Sequence, residues 1–477
     1  MAYVIILFPL AMAGLALAIP SNRLRPLCLP AAGLVHTAAV AVTLARPDLS
    51  GVSGVLGLDP VGALVLLSVS VLFLFCSVYA VGYLKCRMER SNRFFTACLL
   101  AFLGLVSLAV WAQDLGLMWV AIEAMTLMTA PLIYFNRSPR SIEATWKYLL
   151  VGSVGIALAL LGTFFLAYSM VQGGREATMD IVELMAGAPD MAKPWLRAGF
   201  ILLLVGYGTK MGLAPMHTWK PDAYGEAPGL VGAIFAGGVT SAAFLALTRV
   251  YRICGAAGEG AFVSRLMVFM GLLSMAVAGI FMVSQRDFKR MLAYSSVEHM
   301  GILTLGLGLG APALFGTMLH VMTNGMTKGA LFLSAGNIHR AYASKSTDQV
   351  RGALRRVPLS AGIFLAGFLA ITGSPPFGPF ISEFAILNGA FGAGRYVAGG
   401  LFLFLLLLVF VGMGITVLKV TQGRPPLDVE GSGYREGWLT MAPPVAFMAV
   451  VLLLGVWIPG PLSRMVEAAA AYLGGNP

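Results

Sequence analysis

The chain has 477 residues, 58% of them hydrophobic and only 11% charged, with a mean hydropathy of +0.85. Soluble domains carry about 25% charged residues, and a soluble chain of this length divides into domains joined by polar linkers. Neither pattern is present, which excludes a soluble enzyme, a disordered protein and a disulfide scaffold.

Apolar runs of about 18 residues or more, each able to cross a hydrocarbon core of roughly 30 Å, recur along the whole chain. They predict an all-α polytopic membrane protein embedded in the lipid bilayer. Fourteen helices are expected near 2–19, 26–45, 60–84, 94–112, 114–135, 141–170, 197–216, 228–251, 262–284, 290–309, 312–335, 357–391, 398–420 and 438–460. Met1-Ala2-Tyr3 lacks the positive region of a cleaved signal peptide, so the first run reads as a helix that stays. Asp114, after Trp111-Ala112-Gln113, separates the fourth and fifth runs, and Ser138-Pro139 supplies an N-cap and first-turn proline for the sixth.

Lys and Arg crowd the odd-numbered connections, as in Lys85, Arg87, Arg90 and Arg93, in Arg286, Lys289 and Arg290, and in Arg340, Lys345, Arg351, Arg355 and Arg356. The positive-inside rule puts those connections in the cytoplasm and both termini outside. Lys220 is counted with these loops and Arg249 with the outer ones, leaving Lys147, Lys210 and Lys328 within the membrane. The formal net charge of +11 is therefore a topology signal. No dense basic stripe with interleaved aromatics is present, so no nucleic-acid partner is expected. The five cysteines, Cys28, Cys76, Cys86, Cys98 and Cys254, show no metal-ligand spacing, so no cofactor and no metal are expected in this chain.

Two spans are broken by Gly and Pro: the seventh at Gly206–Pro215 and the twelfth at Gly373–Pro379. Proline removes a donor and frees carbonyls at membrane depth, which persist only where protein or water satisfies them. The breaks fall fourth in two five-helix groups, and interrupted spans at matching positions are the mark of an inverted repeat with sites at the midplane. The expected segments are an N-terminal three-helix part (1–93), a first repeat (94–252), an inverted second repeat (262–420) and a C-terminal helix with its tail (421–477). Two ordinary proline kinks are the alternative.

Ionisable groups inside the membrane cost about 2.5–3.5 kcal/mol each on insertion scales and are functional candidates for that reason. Glu123 lies roughly 13 Å into the fifth span and Lys210 about 20 Å into the seventh, depths that suggest an ion pair, either functional or purely structural. Lys147 follows Glu143 by four residues, the favourable order for a helix-face pair, and reads equally well as an interfacial lysine or an internal relay. His320, Asn324 and Lys328 fall at i, i+4 and i+8, one polar stripe along the eleventh span. Histidine both donates and accepts, and a desolvated lysine can release its proton near neutral pH, so the stripe suits a proton path. Glu298 and His299 in the tenth span, His217 beyond the first break and Glu383 beyond the second extend the polar file. Separate structural polar groups are the alternative.

The strings Trp119–Ala124, Glu143–Tyr148 and Gly208–Trp219 together resemble the antiporter-like proton-translocating subunits of respiratory complex I, Mrp-type antiporters and membrane-bound hydrogenases. The likeness runs over nearly the whole chain, and Arg286–Gly301, with its Glu298-His299 pair, looks most like the hydrogenase-4 component F branch. The resemblance implies that Glu123 and Lys210 form the family's ion pair, that Lys147 and Lys328 match its sixth- and eleventh-span lysines, and that Glu383 is the acidic residue near the outward exit. It also implies a bacterial or archaeal cytoplasmic membrane, other antiporter-like and small membrane subunits as partners, and peripheral hydrogenase-like large and iron–sulfur subunits that carry the redox chemistry. In that scheme a cue from a neighbouring subunit opens the Glu123–Lys210 pair and pushes a proton toward Lys328 and then Glu383. Three departures stand out. Asn324 replaces a second histidine, Ala236–Ser241 offers no Lys or His in the eighth span, and Lys220 replaces an apolar residue. The first two call for water to bridge the middle of the path. A sodium/proton antiporter of the Mrp type, or a non-conducting membrane anchor, are the rival functions.

Overall fold

The computed structural model describes residues 1–49, 51, 54–426 and 433–475. Of the expected C-terminal segment 421–477, residues 427–432, 476 and 477 lie outside the described residues. The described chain is all-helical. The helices are α1 (Ala2–Ala18), α2 (Cys28–Ala45), α3 (Pro60–Lys85), α4 (Arg93–Trp111), α5 (Leu115–Ile133), α6 (Pro139–Gln172), α7 (Ile181–Gly187), α8 (Lys193–Met211), α9 (Trp219–Glu226) and α10 (Gly229–Ile234). There follow α11 (Thr240–Ala256), α12 (Gly260–Val283), α13 (Phe288–Leu309), α14 (Ala311–Tyr342), α15 (Ala353–Arg356), α16 (Pro358–Ile371), α17 (Gly378–Gly392), α18 (Tyr396–Thr421), α19 (Trp438–Val456) and α20 (Gly460–Gly474).

Among the described residues nine helices are long and apolar enough to cross a membrane. The other expected spans coincide with helices of a different character. α1 and α16 are apolar but shorter, and α8, α13 and α14 carry the Lys, Glu and His residues that lower their hydropathy. α13 and α14 are buried along almost their whole length, so their polar side chains face protein. α14 sits at the centre, packed by α3, α10, α13, α16, α17, α19 and α20.

Local chemistry explains the boundaries. Asp59 and Asp114 accept from the backbone N–H groups of Gly62 and Leu117 at 2.7 Å each, capping α3 and α5. Ser138 and Ser141 form a reciprocal capping box at the start of α6. Both broken spans stop on a glycine in the left-handed region, Gly212 with φ +80° after α8 and Gly373 with φ +68° after α16.

Small residues bring α6 and α8 into backbone contact. A Cβ on Gly206 would lie 2.6 Å from the Ala159 nitrogen, and one on Gly155 would lie 2.6 Å from the Thr209 Cβ. This is the close approach that associates helices where lipid offers no hydrophobic drive. It holds Lys210, at the end of α8, against α5 and α6.

The structure also corrects the loop count used for topology. Arg249 is not an outer-loop residue: its side chain is 1% exposed and pairs with Asp59 at 2.8 Å, donating further to the carbonyls of Val110 and Ala112 at 2.6 and 2.7 Å. Arg's planar fork fills such a site where lysine could not. Lys220 and Lys289, counted as loop residues, are buried as well. Removing one member of a buried pair leaves an uncompensated charge, at a cost of about 3–5 kcal/mol. Arg249→Met therefore lowers the unfolding midpoint in detergent sharply, and adding Asp59→Asn, which keeps the α3 cap acceptor, recovers part of the loss. Equal midpoints for wild type and Arg249→Met would show the pair to be dispensable.

Candidate proton path

α8 ends at Met211, one residue after Lys210, so the lysine occupies the last turn of a helix whose final carbonyls lack intrahelical partners. Its ammonium is 1% exposed, donates to Thr126 Oγ1 at 2.7 Å and pairs with Glu123 Oε2 at 3.3 Å. Ser153 Oγ donates to the other Glu123 oxygen at 3.1 Å. The pair is asymmetric, because Glu123 is 19% exposed and reaches toward the periphery. A Cβ at Gly152 would sit 2.9 Å from Lys210 Nζ, so the glycine makes room for the ammonium.

Lys147 does not join this buried pair. Its side chain is 46% exposed, bonded to Glu143 at 2.6 Å on its own helix face and to Asp222 of α9 at 2.9 Å. Asp222 continues to Arg290 at 2.8 Å, while Lys345 bridges Glu226 and Asp287 at 2.6 and 3.3 Å. These groups line a polar cavity of about 420 Å³ between α6, α9 and the start of α13.

The stripe on α14 meets α13 and α17. Lys328 Nζ, fully buried, donates to Ser295 Oγ at 2.6 Å. His320 makes two contacts across helices: Nε2 with His299 Nδ1 at 2.9 Å and Nδ1 with Ser382 Oγ at 2.8 Å. His299 Nε2 lies 3.7 Å from Glu298 Oε2. The unit His299–His320–Ser382 is thus hydrogen-bonded through two imidazoles, each able to accept at one nitrogen and donate from the other, and Glu298 stands next to it without a hydrogen bond. Glu383, next in sequence to Ser382, turns an oxygen against Gly373 at the second break. His217 stands apart, beside the Tyr294 ring at 6.2 Å.

Several buried atoms here have no partner: both oxygens of Glu298, Glu383 Oε1, His299 Nε2 and Asn324 Oδ1. Buried polar groups without a protein partner bind ordered water, and Asn324 Oδ1 lies on the stripe between His320 and Lys328. His299, His320 and Glu383 also bring ligand atoms within 4.8 Å of one another, a spacing open to a metal ion. The hydrogen bond between His299 Nδ1 and His320 Nε2 engages one nitrogen of each ring. The sequence did not point to Thr126, Ser295 or Ser382, because a lone hydroxyl in an apolar helix carries no signal. It marked Lys220 only as a charged replacement for an apolar residue in a Trp-Lys-Pro turn and counted it with the loops, whereas the side chain is fully buried beside the first break.

Residues 112–410 match the family described as NADH:quinone oxidoreductase/Mrp antiporter, transmembrane. A hydrogenase-4 component F homolog of Methylacidiphilum infernorum is 36% identical over 79% of this chain and 78% of its own length. NADH-quinone oxidoreductase subunit N of Desulforudis audaxviator is 33% identical over 71% of this chain and 67% of its own. A chain of the Mrp complex from Dietzia sp. shares the fold with a TM-score of 0.87 over 99% of this chain and 97% of its own, at 24% identity.

The exposure difference between the lysines makes a stability prediction. Lys147→Ala breaks a half-exposed network and costs about 0–1 kcal/mol. Ser295→Ala strips a buried ammonium of its acceptor and costs about 1–3 kcal/mol. Unfolding midpoints of the two variants in the same detergent check the order, and the reverse order would contradict the burial described.

Proposed function

The chain belongs to the NADH:quinone oxidoreductase/Mrp antiporter transmembrane family, and from that premise we propose that it is the proton-translocating membrane subunit of a redox-driven complex of the membrane-bound hydrogenase type. The hydrogenase-type assignment draws on the 36% identical component F homolog and on the Glu298-His299 pair. The observation that carries the transport reading is the buried file itself. Lys210, Lys328, Glu298, His299, His320 and Glu383 are buried inside a bundle of apolar helices, with the partly exposed Glu123 against Lys210, where a merely structural bundle would place apolar side chains.

In the mechanism, a neighbouring membrane subunit acts on Glu123, the exposed half of the pair. When the carboxylate swings away, Lys210 loses its counter-charge and holds its proton less tightly. The proton passes to Lys328, and from there through Glu298, His299 and His320 to Glu383 and the outer side. Water fills the gaps marked by the unpartnered atoms. The two broken spans are the midplane elements of two inverted repeats, 94–252 and 262–420, and the basic connections face the cytoplasm with both termini outside. Peripheral subunits supply the electrons.

Lys210→Met and, separately, Lys328→Met remove a positioned proton-transfer group, worth about 10²-fold or more. In the purified complex reconstituted into liposomes, each variant is expected to cut proton uptake per electron transferred by that factor while the complex stays assembled. Wild-type uptake in either variant would sink the scheme and favour a structural anchor. Sodium-dependent proton exchange by the assembly without electron donor would instead place it among cation/proton antiporters.

A further inference from the structure

We infer that Lys220, at the first turn of α9, is a proton-carrying station between the Glu123–Lys210 pair and Lys328. This rests on the proton-translocation reading above. Lys220 is 0% exposed, and its ammonium donates to the Met211 carbonyl at 2.6 Å and reaches the Ser296 carbonyl at 3.3 Å. Met211 follows Lys210, and Ser296 follows Ser295, the acceptor of Lys328. The Lys220 ammonium therefore touches the residue next to one lysine and the residue next to the other lysine's partner.

The surroundings are those of a transfer site. The hydroxyls of Ser296 and Tyr224 are buried without a partner, and the Tyr224 ring lies 5.5 Å from Lys220 Nζ. A water between them would satisfy both hydroxyls and extend the contact toward Ser295 and Lys328. The eighth span offers no substitute at this level. Thr240 and Ser241 turn their hydroxyls back to the Ala236 and Gly237 carbonyls at 2.8 and 2.9 Å, and Arg249 is committed to Asp59.

The second break repeats the arrangement. Gly212, left-handed, leaves room for Lys220: a Cβ there would lie 2.5 Å from Lys220 Cδ. Gly373, also left-handed, leaves room for Glu383 in the same manner. At each break, then, the half-helix beyond the glycine returns an ionisable side chain into the gap. One of these, Glu383, already ends the proposed path, and Lys220 is its counterpart at the beginning. The step is a proton exchange alone. The Lys220 ammonium gives its proton, through water, to the neutral Lys328 amine, and the resulting Lys220 amine takes a proton from Lys210.

The competing role is a fixed cap on the exposed carbonyls of α8. Two variants keep the cap and remove the proton exchange. Lys220→Arg holds its charge permanently, and Lys220→Gln donates as a neutral amide. Proton uptake per electron is measured in reconstituted complex, scaled to assembled complex isolated through a tag on a partner subunit. Both variants are expected to fall about tenfold or more, with electron transfer by the assembled complex retained. Wild-type uptake in either variant overturns the proposal and leaves the cap. Loss of assembly in both also overturns it, by assigning the lysine to the fold. If wild-type complex itself moves no protons, or Lys210→Met is silent, the underlying transport reading fails instead.

Discussion

An ammonium group buried in an apolar bundle must find acceptors, and the arrangement of this protein follows from how four of them are found. Lys210 takes a carboxylate and a hydroxyl, Lys328 a hydroxyl, and Lys220 and Lys289 take backbone carbonyls. Only the first has a full counter-charge in contact. The carbonyls taken by Lys220 and Lys289 exist because helices stop short: Met211 at the end of α8, and Gly225 and Ala227 around the end of α9. Helix breaks and buried lysines are therefore one feature.

The same constraint explains why α13 and α14 are enclosed. Side chains such as Glu298, His299, His320 and Lys328 are tolerable in a membrane only when protein surrounds them, and both helices are walled by apolar neighbours. The wall is thin in polar partners. Neither Glu298 oxygen has a hydrogen-bond partner in the protein, and Glu383 Oε1 has none either. A path whose members were fully bonded to one another would hold each proton in a deep well.

Much of this was legible in the residues alone. Gly and Pro marked both breaks, Ser138-Pro139 marked the start of α6, and the i, i+4, i+8 spacing put His320, Asn324 and Lys328 on one face of α14. Lys147 paired with Glu143 as the four-residue spacing implied. What the sequence concealed was always a relation between distant segments. Asp59 and Arg249 are far apart in the chain, and nothing near either announces the other. His299 and His320 stand on different helices, so their bond is visible only once α13 and α14 are packed. The burial of Lys220, Lys289 and Arg249 was hidden as well, because a charge between apolar runs looks like a loop residue whether it faces water or folds inward.

The peripheral network around Lys147 follows the opposite logic. Its members are partly exposed and form a chain of alternating charges, Glu143–Lys147–Asp222–Arg290, with Lys345 joining Glu226 and Asp287. Exposed pairs contribute little to stability one by one, so the grouping of four carboxylates around a cavity of about 420 Å³ needs another reason. Asp222 and Lys220 are two residues apart on the same short helix, one turned to this cavity and the other to the interior. α9 therefore joins a water-accessible carboxylate cluster on one side to a buried ammonium on the other. A helix freed by the break at Gly212 can present both faces in that way, whereas an unbroken α8 would carry its next turns straight on through the bilayer.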